Sequence, residues 1–100
     1  GRLLRFGQMN YCWNDAWTLF TKGQATEALP PMEKAAVLAP DNPEMFYDLA
    51  VIRLAAGRRV ESLEALRRAV ALNPKLKAQA RGDKDLAALG GDPAFEALVK

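Results

Sequence analysis

The sequence predicts an all-α domain made of two helical hairpins and a capping tail. Three observations carry this prediction. Eighteen of the 100 residues are alanine and only eight are aromatic, a composition that suits closely packed helices better than sheets. Turn and stop residues recur at one interval: Gly23 and Gly57, Pro40 and Pro74. Sliding the chain by 34 residues also superposes Ala16 on Ala50, Glu27 on Glu61, Leu29 on Leu63, Ala35 on Ala69 and Leu38 on Leu72. Near matches fall in the same register, among them Trp13 with Tyr47, Asn14 with Asp48, Phe20 with Leu54, Ala28 with Ser62 and Met32 with Leu66. An internal period of this length is the signature of a stacked helical repeat.

The first helix is expected over residues 11–21. At 100° per residue, Leu19, Cys12, Ala16, Phe20, Trp13 and Trp17 fill one arc of roughly 160°, and Asp15, Tyr11, Thr18, Asn14 and Thr21 fill the rest. Gly23 breaks this helix from the next, because glycine adopts a left-handed conformation without strain. The second helix carries Pro30 and Pro31, so it is expected to start late or to bend there. Pro40 stops it. Asn42 and Pro43 start the third helix as N-cap and first helical residue. That helix is apolar nearly all round, broken by Glu44, Asp48 and Arg53, and is therefore expected to be buried on most sides.

Gly57 ends the third helix as Gly23 ends the first. The fourth helix runs to Pro74, where Asn73 with Pro74 repeats the starting signal. A short helix over 75–81 closed by Gly82, a brief helix capped by Asp83 and ended by Gly90 and Gly91, and a last helix started by Asp92 and Pro93 complete the chain. This tail departs from the repeat. Its apolar residues Leu86, Leu89, Phe95 and Leu98 suit a cap over the exposed end of a stack.

The register resembles that of the tetratricopeptide repeat over residues 9–76. The family's small residue of the first helix matches Ala16 and Ala50, and that of the second helix matches Ala28 and Ser62. Its large residue matches Met32 and Leu66, its second alanine Ala35 and Ala69, and its proline Pro40 and Pro74. The resemblance implies an α-α superhelix with a segment at 1–8, repeats at 9–42 and 43–76, and capping helices at 77–100. Cys12 and Phe46 depart from the family's tryptophan, Leu19 and Arg53 from its tyrosine. Asp15 replaces a leucine that Leu49 retains, which suits a first unit with no upstream neighbour.

The resemblance also implies a site. Trp13, Trp17 and Phe20 match positions facing the concave groove, with Asn14, Tyr47, Asp48, Val51 and Leu54 on or beside that surface. Relatives that clamp a peptide's terminal carboxylate hold lysine and asparagine where this chain has Trp13 and Trp17. An apolar or aromatic anchor on a protein or peptide partner fits better. Other occupants stay open: Leu3, Leu4 and Phe6, the C-terminal helix, or a second copy of the chain.

Catalytic and metal chemistry find little support. The chain has no histidine, the usual general base and the commonest metal ligand. Cys12 is alone and falls on the apolar arc, where it acts as a small apolar residue. No acidic or sulfur group has metal-ligand spacing, and Asp83, Asp85 and Asp92 are better used as helix caps. No cofactor is expected. The net charge of +2 gives no argument for nucleic acid, and the basic second half reads as a solvated face, with Glu64 reaching Arg68 at i,i+4. No apolar run matches a membrane span and no signal peptide is visible. The expected function is non-catalytic protein–protein interaction, as scaffold or by self-association. The alternative is a C-terminal accessory domain of a larger enzyme whose catalytic part lies upstream.

Overall fold

The computed structural model describes residues 2–100, with side chains from Cys12 onward. The helices are α1 (Arg2–Thr21), α2 (Ala25–Leu38), α3 (Pro43–Ala55), α4 (Arg59–Leu72), α5 (Leu76–Gly82), a 3-10 helix (Lys84–Leu89) and α6 (Pro93–Leu98). No strand occurs among the described residues. Helix α1 packs on α2, α3 on α4, and α2 joins the two hairpins by packing on α3.

The two hairpin turns are built alike. Gly23 and Gly57 sit at φ of 79° and 82°. In the first turn Gly23 N donates to Phe20 O at 3.0 Å and Gln24 N to Leu19 O at 2.9 Å; in the second, Gly57 N donates to Leu54 O at 3.0 Å and Arg58 N to Arg53 O at 2.8 Å. This is the Schellman arrangement, which satisfies the last carbonyls of a helix.

Small residues let the helices approach. Ala16, Ala28, Ala35, Ala50 and Ala69 are fully buried, as are the larger Met32, Met45, Ile52 and Leu66. Ser62 takes the small position of α4 and is buried too; its Oγ donates to the Ala50 carbonyl at 2.7 Å, so its hydroxyl is not left unpaired.

Several expectations change. Helix α1 begins at Arg2 rather than at Tyr11. Helix α2 does not start late: it begins at Ala25 and contains both prolines. The carbonyls deprived of an N–H donor belong to Thr26 and Glu27 in the exposed first turn, where water can replace the lost partners. Asn42 caps α3 as expected, accepting from Glu44 N at 3.1 Å and Met45 N at 3.2 Å. Asn73 instead closes a turn, accepting from Lys75 N at 3.2 Å, and α5 starts after it. Arg68 lies over the Phe46 ring, 5.1 Å from its centroid, rather than pairing with Glu64.

The tail caps the second hairpin. Asp83 accepts from Asp85 N at 2.8 Å and Asp92 from Ala94 N at 2.9 Å, each starting its short helix. Leu86, Leu89 and Phe95 are buried. The 3-10 helix lies on α3 and α6 on α4. Arg59 ties the two together, donating to Asp92 Oδ2 at 2.9 Å and to the Ala88 carbonyl at 3.0 Å. The Arg59 guanidinium and the Ala94 backbone N–H hold the Asp92 carboxyl below its ordinary pKa.

Candidate functional site

Residues four and three apart share a helix face, and α1 uses that spacing for Trp13, Trp17 and Phe20. Trp17 and Phe20 stack with ring centroids 5.1 Å apart and planes inclined by 25°. Phe20 is half-buried, while Trp17 keeps 37% of its surface open. Beside them, Asn14 is exposed and its carbonyl accepts from Thr18 Oγ1 at 2.8 Å. Asp15 is exposed as well.

Trp13 is half-buried and joins the two hairpins: its Nε1 donates to Asp48 Oδ2 at 2.8 Å. Burial pushes the Asp48 carboxyl up to about 6; the neighbouring carboxylates Glu44 and Asp83 add to the rise, and the Trp13 hydrogen bond opposes it. The chain thus keeps an acidic group partly withdrawn from water with an indole N–H as its partner. Leu54, half-buried, packs against the core from the same helix.

Tyr47 and Val51 do not offer an open surface, contrary to expectation. They retain 4% and 2% of their surface, and the C-terminal segment packs back onto α3. Tyr47 Oη donates to Asp83 Oδ2 at 2.5 Å. Burial first, then this bond and the charges of Asp83, Asp48 and Asp85, raise the phenol above its ordinary pKa, so it stays a neutral donor. Helix α6 packs on α4. Leu3, Leu4 and Phe6, considered as a cover for the tryptophans, lie outside the residues whose side chains are described.

Cys12 is buried and unbonded, and no metal-type group of side chains occurs among the described residues. Sequence reading missed two contacts. The Trp13–Asp48 bond was detectable in principle: Asp48 is one repeat beyond Asn14, next to Trp13, and is an acid in the middle of an otherwise apolar stretch of α3. The setting of Arg53 depends on neighbours from α2 and α4 and carried no local signal. Its guanidinium donates to the Glu61 carbonyl at 3.2 Å and lies 3.8 Å from the Glu33 carboxylate.

Paired helices in one repeating register, joined by glycine turns and closed by an amphipathic tail, define a helical-repeat domain. The chain belongs to the tetratricopeptide repeat family: the family profile described as Tetratricopeptide repeat matches residues 19–89. The match starts inside α1 beyond both tryptophans and runs through the 3-10 helix. No curated protein matches the sequence. Repeats of this family are typically non-catalytic modules that bind proteins or peptides. No helix among the described residues is long and apolar enough to cross a membrane.

Proposed function

We propose that the chain is a non-catalytic protein-interaction module whose partner seats an apolar or aromatic side chain against Trp17 and Phe20. Trp13, Asn14, Asp48 and Leu54 border the contact, and the buried Tyr47 and Val51 take no direct part in it. The supporting observation is the open Trp17 ring stacked on Phe20. A tryptophan held in place by a neighbour loses little freedom on binding and supplies a large contact area.

Displaying random peptides to the full chain and titrating the selected ones by fluorescence anisotropy tests this reading. Peptides rich in Trp, Phe or Leu are expected, losing about tenfold or more in affinity for the Trp17→Ala, Phe20→Ala double variant while its circular dichroism stays unchanged. Selected peptides that bind the double variant as well as the parent would reject the site. Sedimentation across a dilution series separates the self-associating form of the same reading: a dimer that the double variant abolishes identifies the partner as a second copy.

A further inference from the structure

The opposite side of α3 carries a second surface. At 100° per residue, Phe46, Leu49 and Arg53 lie roughly 160° around the helix from Tyr47, Asp48, Val51 and Leu54. There α2 and α4 flank a groove of about 560 Å³, within the range of ligand-sized clefts. Its apolar lining includes Ala36, Leu49, Ala65 and Phe46, and Val37 stands on it 74% exposed.

Charge in this groove is layered. Arg53 lies deep, its side chain 20% exposed, whereas Glu33 is 47% exposed and Glu64 is also open to water. The deep charge is poorly matched. Arg53 Nη2 reaches Glu33 only at 3.8 Å, and the buried Arg53 Nε has no acceptor. That Nε–Nη2 edge is one that grips a carboxylate with two parallel hydrogen bonds. Arg68, over Phe46, has a 3.5 Å contact with the Pro40 carbonyl and no carboxylate partner. Elsewhere Arg58 and Arg59 pair with Glu61 and Asp92 at 3.4 and 2.9 Å. Both guanidiniums of this groove therefore keep spare donors, beside an apolar floor.

We propose that the α2–α4 groove is a second docking site, which takes a segment of a partner protein carrying an aspartate or glutamate beside an apolar side chain. The carboxylate displaces Glu33 from the Nε–Nη2 edge of Arg53 and draws on Arg68, while the apolar neighbour covers Ala36, Val37 and Leu49. Water screens Glu33 and Glu64 at the rim, whereas the guanidinium at the floor acts through a lower dielectric.

The test uses the full chain bearing Trp17→Ala and Phe20→Ala as bait for a random-peptide display library, so that the aromatic face does not contribute. The expected winners pair Asp or Glu with Leu, Ile or Phe. Changing that acid to its amide, or the bait's Arg68 to Met, is expected to weaken binding about tenfold. Val37→Asp, at an exposed position, is expected to weaken it similarly. Glu33→Gln frees Arg53 and is expected to tighten binding severalfold. A library that enriches no such motif, or winners indifferent to Arg68→Met and Glu33→Gln, overturns the proposal. Circular dichroism melting of each variant separates lost binding from lost folding.

Discussion

Asp48 holds a half-buried carboxyl bonded to the Trp13 indole. Its pKa rises from 3.8 to about 6 on folding, so between those two pH values the folded chain holds a proton that the unfolded chain releases. Stability from this group is complete below about pH 4, falls as pH climbs towards 6, and stays constant above. Asp48→Asn keeps an oxygen to accept from Trp13 and removes the buried charge. It is expected to stabilise the protein by about 1–2 kcal/mol above pH 6, a figure reduced because the side chain is partly exposed. Parent and variant should converge near pH 4. Urea titrations from pH 4 to 8 measure the difference, and a variant less stable than its parent at pH 7 would contradict the reading. The residue scale also shows what sequence left hidden: Trp13 and Asp48 are 35 positions apart, and only the packed hairpins bring donor and acceptor together.

At the scale of elements, the glycine turns and the proline pair behave differently. A Cβ added at Gly57 meets nothing within 4 Å, yet φ is +82°, so the cost of Gly57→Ala is purely conformational, about 1–2 kcal/mol. Thermal denaturation should register it, with a similar loss at Gly23. Helix α2 accommodates Pro30 and Pro31 without ending, but each lacks a donor. Pro30→Ala restores one hydrogen bond at a solvated carbonyl while loosening the unfolded chain, and a net gain of no more than about 1 kcal/mol is expected. A destabilised Pro30→Ala variant would mean that the prolines set the course of α2 onto α3 rather than straining it. The sequence located these residues correctly, and of its two expectations for them the late start did not follow. A proline's penalty depends on whether the carbonyls it strands can reach water, and that is decided by which turn of the helix faces out.

At the scale of the whole molecule, the chain spans 42 × 27 × 19 Å, and each hairpin touches mainly its neighbours. Stability in such a stack is close to a sum of units and interfaces, so the tail's contribution is separable. Phe95, buried in α6, anchors that tail. Phe95→Ala is expected to cost about 3–5 kcal/mol. Amide hydrogen exchange should then show protection lost first in α5, the 3-10 helix and α6, with α1 and α2 affected least. Uniform loss along the chain would show instead that the hairpins do not fold without the cap.

Local chemistry, repeated at one interval, let the sequence alone determine the helical pairs, the two glycine turns, the small residues between helices and the caps at Asn42, Asp83 and Asp92. These features depend on neighbours a few positions away or on a register that recurs. Only the tertiary structure decided which residues of the expected site are open. Trp17 remains exposed, Val51 is buried, Tyr47 bonds to a tail that the repeat does not encode, and Arg53 enters a groove shaped by α2 and α4. Exposure and hydrogen-bond pairing depend on what arrives from distant parts of the chain, and a helix's own pattern shows which residues avoid water without showing what covers them.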